Sequence, residues 1–275
     1  MIMKNAAILL WLLSNLLSMR TQGQERTCTE TCNNGYNHNY LECIEDMINV
    51  GSLFDKFGVS VFGGDTKVSL SEERKIGDEA LREAKGKYKI ITTGEKYQRV
   101  NEILQRLTYK VQKPQGYTFS IHLLESDVIN AWTCGGQIFI TTAIYDFCIS
   151  KDEIACIIGH EISHNLLGHL NFRMKKMKIA GEWGVAGQLA AVLGTIATAA
   201  FGQEDEAHSD LLGVDLAKAA GYRSCEAIHL WERMAEKQGS FDGLTNFLSS
   251  HPHPEKRSVC IKNHLQRRYS INCEQ

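Results

Sequence analysis

Residues 157–169 read IIGHEISHNLLGH, and this stretch decides what the rest of the chain has to supply. His160 and His164 are four residues apart, so on a helix their imidazoles project from the same face and can bind one metal ion. Glu161 stands beside them, where it can act on a water bound to that ion. The flanking isoleucines and Leu166 would bury the helix and exclude bulk water. The stretch therefore predicts half of a metal site.

A catalytic zinc site needs at least a third protein ligand and keeps another position open for water and substrate. His169 is the nearest candidate, but it lies nine residues after His160, about 180° around the helix. It can reach the same ion only if the helix breaks. The turn that brings a third histidine to the metal in metzincins needs Gly three residues after the second His, and that position here is Leu167.

The stretch QEDEAHSDLLGVDLAKAAGY, residues 203–222, is a better source of the third ligand. Glu206 and Asp210 are four residues apart on one helix face, so Glu206 can bind the ion while Asp210 accepts a hydrogen bond from a ligating imidazole. Glu204 and His208 offer a rival register with the same spacing. We favour Glu206, because a carboxylate partner is the usual way to fix the tautomer of a metal-bound histidine.

The composition bears on the class of partner. The 275 residues are enough for one large domain or two small ones. Thirty Lys and Arg residues stand against 32 Asp and Glu residues, a formal net charge of -2. Positive and negative charges nearly balance, so the chain lacks the excess positive charge with which proteins bind a phosphate backbone. We expect protein or peptide partners and no nucleic acid, and the sequence does not indicate an oligomeric state.

The N-terminus has the layout of a secretory signal peptide. A short basic start is followed by AAILLWLLSNLL, residues 6–17, and then by polar residues. The apolar run is short for a membrane span, which needs about 20 residues. We expect cleavage near Gly23, so that residues 1–23 are removed and the protein is secreted or enters the secretory lumen. The competing interpretation is an uncleaved signal anchor that tethers the chain to a membrane.

The cysteines predict disulfides. Nine cysteines follow the expected cleavage site, and the odd number leaves at least one outside an intrachain pair. Residues 24–64 form an expected N-terminal extension that contains Cys28, Cys32 and Cys43, and residues 65–275 form the main domain. A local disulfide is favoured in the extension. The alternative is that one of its thiolates binds the metal and keeps the protein latent.

Hydrophobic periodicity and capping signals predict a predominantly helical α+β fold. Ser69 with Glu72, and Ser150 with Glu153, have the spacing of a capping box, which marks the start of a helix. Runs of β-forming residues predict two strands. The predicted helices are 69–88, 95–111, 150–169, 204–220 and 224–237, and the predicted strands are 117–124 and 137–142.

An uncharged segment lies between the two halves of the expected site. Residues 184–201, GVAGQLAAVLGTIATAAF, are long enough for a transmembrane helix. A single pass would separate His160 and His164 from Glu206 by a hydrocarbon core about 30 Å thick. If these residues share one site, the segment must be a buried helix, a hairpin or a flap. It can still contact a membrane surface.

Four motifs in order resemble one family of zinc metallopeptidases, which includes the CAAX prenyl endopeptidases, the HtpX heat-shock proteases and the mitochondrial OMA-type proteases. The motifs are NAWTCGGQIFIT (130–141), DEIACIIGHEISHNLLGH (152–169), EAHSDLLGVDLAKAAGY (206–222) and FLSSHPHPEKR (247–257). The resemblance covers about residues 68–265. It implies a zincin-type fold of the gluzincin kind, with a small sheet beside the metal helix and one Zn²⁺ per chain. It is nearest to the soluble and OMA-type members, because the chain lacks multiple membrane spans.

The resemblance also implies roles for individual residues. Glu206 would be the third ligand, supported by Asp210. His251 would stabilise the oxyanion, and Arg257 would hold the His-Pro segment in place. His253 is a second histidine in that segment, and the family's His-Pro-x-x-x-x-Arg spacing favours His251.

The expected function is a zinc-dependent endopeptidase that cleaves extended or unfolded protein segments. The strand near Gly136 to Ile140 is expected to bind the substrate as an added strand. Asn130, Gly135, Gly136 and Ile138 are the predicted substrate-binding residues. The family often has Pro where this chain has Cys134, which puts the shape of that strand in question. The alternative is a zinc-binding, chaperone-like protein that does not cleave, although the intact Glu161 favours an enzyme.

Overall fold

The elements of the fold follow one another along five described stretches of the chain. The computed structural model describes residues 68–109, 118–171, 173–174, 201–239 and 242–273. The helices are α1 (Leu70–Lys87), α2 (Glu95–Tyr109), α3 (Thr142–Phe147), α4 (Lys151–Leu166), α5 (Gln203–Ala219), α6 (Glu226–Lys237), α7 (Thr245–Ser250) and α8 (Pro254–Tyr269). The strands are β1 (Lys89–Ile91), β2 (Ser120–Glu125), β3 (Ala131–Cys134) and β4 (Gln137–Thr141). The predicted α+β class, predominantly helical with a small sheet, is confirmed.

The two predicted capping signals begin the helices as expected. At α1 the box is complete, since the Ser69 hydroxyl accepts from the Glu72 N–H at 3.2 Å and the Glu72 carboxylate accepts from the Ser69 N–H at 2.8 Å. At α4 the Ser150 hydroxyl accepts from the Glu153 N–H at 3.2 Å. The Glu153 carboxylate instead accepts from the Ile149 N–H at 2.9 Å. Both helix starts were therefore readable from short-range spacing.

The four strands form one sheet in the order β1-β2-β4-β3. Strand β2 runs parallel to β4, and β1 and β3 are antiparallel to their neighbours. Gly135 and Gly136 connect β3 to β4 with φ angles of +57° and +88°, as a type I′ hairpin turn requires. The sequence predicted β2, β4 and this turn, but it did not predict β1 or β3. Both missed strands are short, so their periodicity is weak.

Helices α4 and α5 approach each other very closely at two glycines. A Cβ on Gly159 would lie 2.7 Å from the Gly213 carbonyl oxygen, and a Cβ on Gly213 would lie 2.7 Å from the His160 nitrogen. Any side chain at either position would push the backbones apart. The flanking Ile158 and Ile162 are fully buried, as predicted. The glycine contact therefore brings the histidine helix against the acidic helix.

The structure differs from the sequence prediction at the end of α4. The helix was expected to continue to about His169, but it ends at Leu166, and Gly168 has a φ of +70°. A residue with positive φ interrupts a right-handed helix. The chain then becomes helical again from His169. The sequence also did not predict the short helix α3 or the helices α7 and α8.

The predictions for the signal peptide (1–23), the N-terminal extension (24–64) and most of the apolar segment 184–201 lie outside the described residues. Within the stretches that the structure describes, no helix is both long and apolar enough to cross a membrane. A disulfide joins Cys225, just before α6, to Cys273, beyond α8. The expectation of disulfides is confirmed for this pair.

A buried ion pair fastens the N-terminal end of α4 to α6. The Glu153 side chain is fully buried, and its carboxylate lies 2.5 Å from Arg233 Nη2 and 2.9 Å from Arg233 Nη1. Removal of one partner of a buried pair leaves an uncompensated charge, which costs about 3–5 kcal/mol. The pair holds the start of the metal-site helix in place.

We expect Arg233→Leu to lower the free energy of unfolding by about 3 kcal/mol, because it leaves the Glu153 carboxylate buried without its cation. Urea unfolding followed by circular dichroism measures this change. The matched control is Arg99→Leu, since Arg99 pairs with Glu95 at 2.6 Å on an exposed helix surface. An exposed pair contributes about 0–1 kcal/mol. Equal effects of the two substitutions would contradict the assignment.

Candidate metal centre

Four buried side chains bring potential ligand atoms together. Imidazole nitrogens of His160, His164 and His251 and a carboxylate oxygen of Glu206 all lie within 4.8 Å of one another. Each of the four residues is at most 5% exposed. The sequence predicted His160, His164 and Glu206 as ligands and assigned His251 a different role. The cluster thus contains the predicted ligand set and one further histidine.

The first two histidines and the acidic helix meet at one point. The Nε2 atoms of His160 and His164 are 2.9 Å apart. Glu206 Oε2 lies 3.5 Å from His160 Nε2, and Glu206 Oε1 lies 3.4 Å from His164 Nε2. Helix α4 contributes both imidazoles because they are one turn apart, and α5 contributes the carboxylate across the glycine contact. Three ligand atoms from two helices therefore converge.

The donor set fits a metal cation. Burial and the Arg257 charge act to lower the pKa of His160, but hydrogen bonds to Asp210 and Glu206 raise it to about 9. Burial lowers the pKa of His164 to about 3. The two Nε2 atoms, 2.9 Å apart, therefore face each other at the place where a cation would bind. Glu206 Oε1 is also buried without a hydrogen-bond partner. Imidazole nitrogens and a carboxylate are common ligands of transition metals in proteins.

Asp210 lies behind His160. Its Oδ1 is 3.0 Å from His160 Nδ1, so the carboxylate can accept the Nδ1 proton and leave Nε2 directed at the cluster. The alternative pair with the same spacing is Glu204 and His208. His208 is buried, but its Nδ1 has no hydrogen-bond partner and it is not among the clustered ligands. The side chain of Glu204 lies outside the described residues.

Arg257 holds both acidic residues of α5. Its Nε and Nη2 donate to the two carboxylate oxygens of Asp210 at 2.6 and 2.5 Å, and its Nη1 forms an ion pair with Glu206 Oε2 at 2.8 Å. The guanidinium also stacks on the Trp231 ring, 3.6 Å from the centroid. Burial acts to lower the pKa of Arg257, but Asp210 and Glu206 raise it above its usual value. Arg257 therefore contacts Asp210 and the predicted ligand Glu206 directly, which goes beyond the expected role of holding the His-Pro segment.

His251 lies inside the cluster, and His253 does not. His251 Nδ1 is 2.8 Å from Glu206 Oε2, and its Nε2 is 3.7 Å from Glu161 Oε1. His253 precedes α8 with a φ of +62°, and its half-exposed ring is 3.7 Å from Glu255. The geometry permits His251 to act as a fourth ligand as well as in the expected oxyanion role.

Glu161 is placed for proton transfer. Its side chain is 1% exposed, and its Oε1 is buried without a hydrogen-bond partner. Burial raises the pKa of Glu161 above the usual value for a glutamate, although His251 and His160 act to lower it. A carboxylate with a raised pKa and a free oxygen beside the cluster can accept a proton from water.

The predicted substrate-binding residues lie differently from expectation. Ile138 is fully buried in the core. A Cβ on Gly135 would lie 2.1 Å from the Glu73 carbonyl oxygen, so that this turn packs against α1. Asn130 uses its backbone to bond to Thr141. The prediction that β4 receives the substrate is wrong, because β4 is paired on both sides, with β2 and with β3. Within the described sheet, β3 is the edge strand beside α4, because it pairs with β4 alone and its Thr133 contacts Asn165 of α4.

Sequence reasoning missed two residues at the site. Asn165 Oδ1 accepts from the Gly136 N–H at 3.0 Å, and its Nδ2 donates to Thr133 Oγ1 at 2.6 Å and to the Glu161 carbonyl at 2.9 Å. It thus ties the β3–β4 hairpin to the metal helix. The Phe201 ring stacks on His164 with centroids 4.1 Å apart. The position of Asn165 directly after His164 was a signal, but spacing alone does not indicate its partners.

A buried helix with the pattern His-Glu-x-x-His, a small sheet beside it and a carboxylate from a second helix together define a zincin-type metallopeptidase fold. The chain belongs to peptidase family M48, whose sequence profile matches residues 95–264. The predicted family and metallopeptidase class are thereby confirmed.

Individual relatives agree with this assignment. The chain is 23% identical over 216 residues to the beta-barrel assembly-enhancing protease of Escherichia coli, covering 71% of this chain and 44% of that protein. It is 31% identical over 159 residues to the mitochondrial metalloendopeptidase OMA1 of Saccharomyces cerevisiae, covering 52% of this chain and 46% of that protein. The Schizosaccharomyces pombe OMA1 is 24% identical over 213 residues, covering 72% and 62%. The chain spans about half the length of the first two relatives.

Proposed function

We propose that this protein is a zinc-dependent endopeptidase that hydrolyses peptide bonds in extended or unfolded segments of proteins. The observation that carries the proposal is the convergence of His160, His164 and Glu206 beside the buried carboxylate of Glu161. A purely structural metal site needs no general base, so the unpartnered oxygen of Glu161 favours an enzyme. The protease names of the relatives support the same class.

The residues have distinct tasks in the proposed reaction. His160, His164 and Glu206 would hold the zinc ion, which would supply a bound water of lowered pKa and a Lewis acid for the carbonyl of the scissile bond. Glu161 accepts the proton of the attacking water and returns it to the leaving amine. His251 donates a hydrogen bond to the oxygen on which negative charge develops. For this task His251 must turn its Nε2, now 3.7 Å from Glu161 Oε1, towards the substrate.

We propose that the substrate binds along the free edge of β3. An extended peptide that pairs with Ala131–Cys134 makes main-chain hydrogen bonds independent of its sequence, which favours unfolded segments. Asn165 supports this strand through its bond to Thr133 and reaches the carbonyl of Glu161. The edge strand and the general base are thus linked through one buried amide.

We also propose that the protein works in the secretory pathway or outside the cell. The apolar N-terminal run supports this location. The disulfide between Cys225 and Cys273 is of the kind that persists in oxidising compartments. Detection of the mature protein in the medium of expressing cells, starting near residue 24, tests the proposal. A membrane-retained full-length chain would favour the uncleaved anchor.

The endopeptidase proposal is tested with purified mature protein and unfolded casein. We expect internal fragments by mass spectrometry, loss of cleavage after treatment with a chelator, and recovery after addition of equimolar zinc. Metal analysis should give one zinc per chain. The fragments distinguish an endopeptidase from an exopeptidase, which releases single residues or short end pieces. Stoichiometric zinc without cleavage would contradict the proposal and favour the chaperone-like alternative.

A further inference from the structure

The interruption of the helix after α4 brings His169 back towards His164. In a continuous helix, positions five residues apart point in directions about 140° apart, so His169 would point away from His164. Because α4 ends at Leu166 and Gly168 has a φ of +70°, the His169 ring instead turns back. Its Nδ1 lies 2.9 Å from His164 Nδ1, and both rings are buried.

The hydrogen bond between these rings has one consistent proton arrangement. His164 Nε2 faces the cluster, 3.4 Å from Glu206 Oε1, so its lone pair is needed for the ion and the His164 proton lies on Nδ1. His164 Nδ1–H therefore donates, and His169 Nδ1 accepts. The His169 proton must then lie on Nε2, and the Asp205 carboxylate is 3.6 Å from that atom. A chain of contacts thus runs from the cluster through two imidazoles to an acid.

The two metal-binding histidines are consequently held by different partners. His160 has the charged carboxylate of Asp210 at 3.0 Å from its outer nitrogen. His164 has a neutral imidazole in the same position, with the Ser209 hydroxyl 3.3 Å from the acceptor atom. His169 is not among the clustered ligands themselves. Its Nδ1 is engaged with His164, so it acts on the ion only through that ring.

We propose that His169 is a positioning residue of the metal centre, which accepts the proton of His164 Nδ1 and so directs the Nε2 lone pair of His164 at the ion. The proposal rests on the zinc site of the proposed function. Partners of this kind typically change metal affinity by about 10- to 100-fold when removed. A buried histidine that serves only to fill space would not produce such a change.

The test compares zinc affinity among variants by competition with a chromophoric chelator, without any activity assay. We expect His169→Leu to bind zinc about 10- to 100-fold more weakly than the wild type. His169→Asn should restore most of the affinity, because its side-chain oxygen can occupy the position of Nδ1 and accept the same proton. His208→Leu is the matched control, since it removes another buried histidine that is not one of the clustered ligands, and it should leave the affinity unchanged.

Thermal unfolding of the metal-free variants separates loss of the metal from loss of the fold. If His169→Leu does not fold, His169→Gln replaces it, because its longer side chain puts its polar end at the place of Nε2 and leaves Nδ1 without a substitute. Equal zinc affinity of the wild type and a folded His169→Leu or His169→Gln overturns the positioning role and leaves the proposed function intact. Equal losses in His169→Leu and His169→Asn also overturn it. A wild-type protein that binds no zinc overturns both proposals.

Discussion

The substitution Glu161→Gln should lower kcat/KM for an unfolded protein substrate by at least about 10²- to 10⁴-fold, because it removes the general base. Glutamine has nearly the same shape as glutamate, so the buried pocket around this side chain stays filled. Its amide cannot accept and return a proton at neutral pH. Cleavage of a quenched fluorescent casein measures the loss. Zinc content should remain at one ion per chain, because Glu161 is not among the clustered ligands.

A control separates this effect from a general change in charge. Glu255→Gln removes a carboxylate that is 57% exposed at the start of α8, and we expect wild-type cleavage rates. An active Glu161→Gln variant with full zinc would show that the proton acceptor is another group. Loss of zinc together with loss of cleavage would show that Glu161 contributes to the metal site itself.

The substitution Arg257→Leu should lower the free energy of unfolding of the metal-free protein by about 3–5 kcal/mol. The guanidinium is the cation that balances two buried carboxylates, Asp210 and Glu206. Without it, both acids remain buried with only imidazole partners. Burial acts to raise the pKa of each carboxyl, but His251 and Arg257 lower the pKa of Glu206, and Arg257 lowers the pKa of Asp210. Urea unfolding in the presence of a chelator measures the change.

Two further substitutions make the Arg257 result specific. Arg257→Lys keeps the charge but loses the paired hydrogen bonds to Asp210 and the planar stacking on Trp231, so an intermediate loss is expected. Arg82→Leu removes an exposed ion pair with Glu79 and should change the stability by about 0–1 kcal/mol. If Arg257→Leu were as stable as Arg82→Leu, the buried ion network would not support the fold.

The local features of the site were readable from the sequence because they depend on short-range periodicity. Residues four apart in a helix share one face. This rule applies to His160 with His164 and to Glu206 with Asp210. That Asp210 would accept a hydrogen bond from a metal-binding imidazole followed from the chemistry of such ligands, and the structure shows that this imidazole is His160. The contacts of Arg257 were harder to predict, since the family resemblance implied only that it holds its own segment in place. Only the packing of α8 against α5 and α6 shows that it contacts Glu206, Asp210 and Trp231.

The tertiary structure alone decided which long-range contacts form. The partner of His164 is His169, and sequence reasoning placed that residue on the opposite side of a continuous helix. The positive φ of Gly168 changes the direction of the chain, and a glycine in a sequence shows only that such a turn is allowed. The free edge of the sheet is another case, since β3 was too short to be recognised and strand order is not a local property.

The sequence by itself determined the metal-binding pattern, because this pattern follows from residue types at fixed spacing within single helices. It also indicated the family and the class of fold, through four motifs that occur in the order typical of the family. The structure decided which edge strand lies beside the metal helix, which of two histidines enters the cluster, and what fixes each imidazole. Those outcomes depend on how helices and strands distant in sequence pack together. The close contact of Gly159 with Gly213, which joins α4 to α5, is an example. Two backbones that touch without side chains between them bring the ligands of one ion into reach.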